Sequence, residues 1–60
     1  MRNYRFKITY RTDTIPQKII ELSVYYETYY QAYTFILGYI AEMQNENKND
    51  RITDIRIEKI

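Results

Sequence analysis

Tyr4, Phe6, Ile8 and Tyr10 alternate with Arg5, Lys7, Thr9 and Arg11. Apolar residues at period two, each followed by a polar one, specify a strand with one dry face and one wet face. Such a strand cannot stand alone. The chain must supply neighbours to bond its backbone and an apolar layer to cover its dry side.

The segments that follow supply both. Thr12-Asp13-Thr14-Ile15-Pro16 breaks the strand and suits a connection, without the Asn-Gly type of pair that marks a two-residue hairpin. From Lys18 to Tyr26 a second strand is expected, with Ile20, Leu22, Val24 and Tyr26 on the core face and Ile19, Glu21, Ser23 and Tyr25 on the other. Thr28 followed three residues later by Gln31 reads as a capping box, opening a helix from Tyr29 to Asn45. The polar run Asn45 to Asp50 ends that helix, with Asn available for a left-handed C-cap. Ile52 to Lys59 makes the last strand, in which Ile55 and Ile57 alternate with Asp54, Arg56 and Glu58. On this pattern Ile52 and Ile60 fall on the charged face unless a bulge intervenes.

Strand, strand, helix, strand predicts an α+β fold of ββαβ type. A hairpin followed by a helix that returns across one face lays the third strand beside the first. The sheet is then antiparallel, in the order 2-1-3. Arg5, Lys7 and Arg11 come to lie on the central strand, with Glu21, Glu27, Asp54 and Glu58 on its neighbours. Opposite charges across strands are mildly stabilising.

The helix carries more apolar surface than this platform can cover. With Ala32 as origin and about 100° per residue, Phe35 and Tyr39 lie near −60° and −20°. Met43, Ile36, Tyr29, Ile40, Tyr33 and Leu37 continue to about 140°. That arc of roughly 200° is twice the stripe of an ordinary surface helix. A second copy of the chain is the simplest cover, and the expected interface residues are Tyr25, Tyr30, Phe35, Ile36, Leu37, Gly38, Tyr39 and Met43. The dimer can centre on Phe35, Tyr39, Ile36 and Met43, on the opposite border at Leu37 and Tyr30, or on an unpaired strand edge. Gly38, with Thr34 and Ala41, either admits a close neighbour or merely weakens the helix by about 1 kcal/mol. Of the eight tyrosines, Tyr4, Tyr26 and Tyr33 are expected in the core, and Tyr25, Tyr30 and Tyr39 at an interface.

Size strengthens the case for a partner. A chain of 60 residues buries too little surface for comfortable stability, and the usual remedies are disulfides, metals or association. There is no cysteine and no histidine. Disulfides and the common zinc and haem sites are thereby excluded, as are thiol and histidine-based nucleophilic chemistry. With one glycine the chain has no phosphate-binding loop motif. The expectation is a protein that is not an enzyme and holds no cofactor. Asn47, Asn49 and Asp50 resemble part of a calcium loop but lack its glycine and terminal glutamate. The longest uncharged run, Thr28 to Ala41, is too short and polar for a bilayer. No apolar leader follows Met1, so a cytoplasmic location is expected. Nucleic acid is the alternative partner, through Arg5, Lys7, Arg11 and Tyr25 on the open sheet face. The net charge of +1 argues against it.

The segments Tyr4-Arg5-Phe6-Lys7-Ile8, Ile20-Glu21-Leu22-Ser23-Val24, Tyr29-Tyr30-Gln31-Ala32-Tyr33 and Ile55-Arg56-Ile57-Glu58-Lys59-Ile60 resemble in plan many tiny ββαβ proteins. Some small ribosomal proteins are among these, but they are typically basic and this chain is nearly neutral. In size, composition and plan the whole chain also resembles short proteins carried by bacteriophages of Gram-positive hosts. Some of those block a host defence or replication enzyme by occluding a protein surface. The resemblance implies an inhibitor of a bacterial immune or nucleic-acid-processing enzyme, acting in the host cytoplasm on a host protein target; with the apolar surplus of the helix, the expectation is that it acts as a homodimer.

Overall fold

The computed structural model describes all 60 residues, Met1–Ile60. β1 spans Arg2–Thr12, β2 Lys18–Tyr26, α1 Tyr29–Glu46 and β3 Ile52–Lys59. The strand order is β2-β1-β3 and both pairings are antiparallel. This is the ββαβ plan that the sequence pattern requires.

β1 and β2 pair without interruption from Arg2↔Tyr26 to Tyr10↔Lys18. Even-numbered residues of both strands therefore share one face, and α1 lies on it. Tyr4, Phe6, Ile8 and Tyr10 are buried there with Ala32, Ile36 and Ile40 of α1 and Ile52 of β3. The three helix residues recur every fourth position, one narrow stripe along the axis. Phe6, Ile8 and Ile36 are shut off from water, each burial favouring the fold by about 1.5–3 kcal/mol. Only 8 of 60 residues are buried, so the core is thin even for this size. Tyr29 adds an aromatic cluster, its ring 5.9 Å from Tyr4, 5.8 Å from Phe6 and stacked 5.9 Å from Tyr33.

β3 departs from simple alternation. Its register with β1 is regular from Phe6↔Lys59 to Thr9↔Arg56, then slips by one before Arg11↔Thr53. Tyr10 thus faces two residues, Asp54 and Ile55, which form a β-bulge. Asp54 adopts φ 54°, a left-handed conformation that Asp tolerates better than most residues. Its carboxylate forms an ion pair with Arg11, Nε to Oδ2 2.7 Å. The slip is the bulge on which the placement of Ile52 depends: it carries Ile52 onto the core face, where it is buried. It also corrects one sequence expectation. Ile55, expected beside Ile57, is displaced outward and is 43% exposed.

The capping box forms as expected: Gln31 N–H donates to Thr28 Oγ1 and Thr28 N–H to Gln31 Oε1, both at 3.2 Å. The helix ends one residue later than expected, and without a left-handed cap, since Asn47 has φ −111° and ψ 56°. Instead the backbone N–H and the side-chain amide of Asn47 both donate to the Met43 carbonyl, at 3.1 and 2.8 Å. The side chain satisfies a terminal acceptor that a left-handed turn otherwise serves.

The two connections at one end of the sheet clasp each other. Thr14 Oγ1 donates to Asp50 Oδ2 at 2.7 Å and Thr14 N–H to Oδ1 at 3.2 Å. Thr12 Oγ1 accepts from the N–H of Ile15 at 2.9 Å, which shapes the turn. The Thr14 hydroxyl holds the Asp50 carboxyl below the usual carboxylate range; partial desolvation opposes this, and contacts with Thr12, Thr14 N–H and Asp13 N–H add to it. No helix is long and apolar enough to cross a membrane.

Candidate interaction surface

The buried stripe Ala32, Ile36 and Ile40 centres near 40° on the helix circumference, where Ala32 is zero. Two apolar flanks rise from it. One carries Phe35 and Tyr39 and leans over β2, where the Phe35 ring lies 6.1 Å from that of Tyr26. The other carries Tyr33 and Leu37 and leans toward β3, where Gln44 Oε1 accepts from Ile52 N–H at 3.2 Å. Phe35 is 38% exposed and Leu37 48%. Tyr29 and Tyr30 at the helix start are exposed as well, Tyr30 at 75%. The three-stranded sheet leaves both flanks of α1 open to water.

The expected interface residues therefore part into groups. Phe35, Tyr39 and Met43 lie on or beside the β2-side flank, with Tyr39 and Met43 half-buried against the core. Leu37 and Tyr30 lie on the other side and on the outer face. Tyr25 is on the far side of the sheet, where its hydroxyl accepts from the Asn3 amide at 3.3 Å. Ile36 is corrected: it is wholly enclosed at the centre of the buried stripe and has no surface to offer a partner. A Cβ built on Gly38 meets nothing within 4 Å, so no part of this protomer needs the glycine.

In the sequence the helix flank and the strand edge are separate candidate routes to a dimer. The structure puts them side by side. β2 is an edge strand, and Ile20, Leu22, Val24 and Tyr26 are only half-buried beneath the Phe35 flank. Apolar edge strand and apolar helix flank form one wall. The signal was present in the strand order 2-1-3, which makes β2 an edge; the Phe35–Tyr26 contact joining the two depends on helix placement that periodicity does not give.

The open sheet face gathers Arg5, Lys7, Arg11 and Tyr25, all at odd positions, as expected. It gathers their neutralising partners too. Arg5 donates to Glu21 at 3.3 Å, Arg11 pairs with Asp54, and Lys7 stands in register between Glu21 and Glu58. A ladder of opposed charges attracts a phosphate backbone weakly. The loop end bears an open cleft of about 570 Å³ whose cations Arg11 and Arg51 are balanced by Asp13 and Asp54. No three carboxylates converge on a point, and Asp50 is engaged by Thr14 rather than set in a calcium loop. Comparisons of the chain with protein-family models, curated proteins and solved structures find no match.

Proposed function

We propose that this chain is a non-catalytic protein–protein interaction module that acts as a homodimer. The observation behind the reading is the surplus of exposed apolar area on α1: Tyr29, Tyr30, Phe35 and Leu37 all stand 38% or more exposed around a core of 8 residues. Such patches on a small domain are binding surfaces or aggregation liabilities, and burial against a second copy removes the liability. The aromatic content favours contact, since tyrosine offers large area at little conformational cost. The resemblance to short phage proteins suggests a bacterial immune or nucleic-acid-processing enzyme as the further target, in the host cytoplasm. Two flanks on opposite sides of one helix suit two partners, one for self-association and one for the target.

Light scattering during size exclusion tests the first step. The expected mass is twice the 7.5 kDa of the chain at micromolar concentration. A stable monomer there would sink the reading. Binding of a labelled single-stranded oligonucleotide that falls steeply with added salt would move the function to the sheet face instead.

A further inference from the structure

We infer that the second copy joins through β2, edge to edge and antiparallel, making one six-stranded sheet across the dimer. This rests on the homodimer reading and specifies its seam. The two free edges of the sheet differ in fitness for pairing. β3 is bulged at Asp54 and Ile55, twisted by a left-handed residue, and lined with Asp54, Arg56, Glu58 and Lys59. Bulges and charges are the devices that keep an edge from pairing. β2 has none of these over its 9 residues: no bulge, no proline, and charge only at Lys18 and Glu21. An edge of that length and composition is a template for another strand.

The occupant follows from symmetry and charge. In a two-fold antiparallel pair the sum of paired residue numbers is constant, and only even sums keep the core faces together. Pairing centred on Leu22 uses the whole strand, setting Ile20 against Val24, Ile19 against Tyr25 and Glu21 against Ser23 of the other copy. No like charges meet. Centring one residue earlier sets Glu21 on its own copy, which is unfavourable. β2 is thus complementary to itself in one full-length register.

The same operation covers the exposed flank. It lays the two copies of α1 on one side of the sheet, antiparallel, with their Phe35 flanks toward each other. Gly38 lies within about 60° of Phe35 and presents no side chain, which leaves space beside Phe35 for the second helix. Glu42 and Glu46, farther along that flank, fall toward opposite ends of the seam. A 9-residue strand runs about 30 Å, and strand plus overlying helix stand roughly 20 Å tall. That wall of about 600 Å² before side-chain relief approaches the 800 Å² or so that a standard interface takes from each partner. The Leu37 and Tyr30 surface stays free.

Sedimentation equilibrium of the wild type, Ser23→Glu and Ser23→Lys tests the register. Each substitution acts twice across the two-fold, opposite Glu21. Ser23→Glu is expected to weaken dimerisation roughly tenfold and Ser23→Lys to tighten it severalfold. Within the protomer Ser23 faces Arg5, which Glu21 already holds. A carboxylate there gains Arg5 but stands beside Glu21 on the same face, so urea titration of each variant at low protein concentration separates loss of association from loss of fold. Hydrogen exchange provides the second readout: β2 amides that point away from β1 should gain protection as protein concentration rises. A dimer that ignores both Ser23 substitutions and leaves those amides unprotected overturns the edge pairing and spares the homodimer. A chain monomeric at high micromolar concentration overturns both, and leaves the β2 edge to a strand of another protein.

Discussion

The two sides of this small sheet are finished in opposite ways. On the β3 side polar detail closes the structure: the Asp54 bulge, the Arg11–Asp54 pair and the Gln44 bond to Ile52 N–H. On the β2 side there is no bulge, the side-chain bonds of Glu21 and Tyr25 lie on the open face of the sheet, and the core face carries a row of half-buried apolar residues under Phe35. A protomer that needed nothing else has no reason to protect one edge and leave the other bare. The asymmetry is what the proposed dimer accounts for: the chain itself finishes the β3 side, and a second copy would finish the β2 side.

The largest test of that contrast compares one anchor from each side. Ile52→Ala removes a buried residue and should cost about 3 kcal/mol in a urea titration at low protein concentration. That is a large share of what a domain this size possesses, so the variant should be near its unfolding threshold. Val24→Ala, from a half-buried position, should cost about 1 kcal/mol under the same conditions. If the proposed dimer forms, raising the protein concentration should enlarge the Val24 effect and leave the Ile52 effect unchanged, because only Val24 lies at the proposed seam. Equal costs at all concentrations would mean that the two sides are finished alike.

Asp54 tests the bulge itself. Asp54→Val puts a β-branched residue at φ 54° and should destabilise by about 1–2 kcal/mol. Asp54→Asn keeps a residue suited to the left-handed region and loses only an exposed ion pair, worth up to about 1 kcal/mol. Thermal unfolding should rank wild type and Asn together and Val well below. If Val is harmless, the register does not slip at Tyr10, and Ile52 has no route to the core.

That slip also marks where the sequence stopped being legible. The first two strands were readable because their alternation is unbroken, and the helix start because Thr28 and Gln31 satisfy each other locally. Ile36 and Ile40 were readable as apolar, but which part of a 200° arc meets the sheet depends on helix placement, a tertiary fact. Periodicity alone therefore leaves Ile36 among the interface candidates, although it lies at the centre of the core. The first half of β3 is ambiguous in the sequence because Ile52 and Ile55 are three apart and cannot share a face of a regular strand. The bulge resolves the conflict in favour of Ile52, and Asp54 was its one visible sign: a residue at ease at positive φ. Thr14 and Asp50 gave no sign of their contact, being 36 residues apart in two polar loops.

That clasp gives the smallest effect, at the end of the molecule where β3 begins. Hydrogen bonds from Thr14 lower the Asp50 pKa in the folded state. The contribution is therefore complete above the ordinary carboxylate value, about 4, and disappears as pH falls through the lower folded value. Thermal melts of wild type and Thr14→Val should differ slightly but reproducibly at neutral pH. The gap should narrow below about pH 4 as Asp50 takes up its proton. The Val24→Ala melt, by contrast, should keep its distance from wild type across the same range apart from losses common to both. A gap at Thr14 that persists unchanged into strong acid would assign the clasp to backbone shape rather than to the Asp50 charge, and would remove one polar fastening from the β3 side.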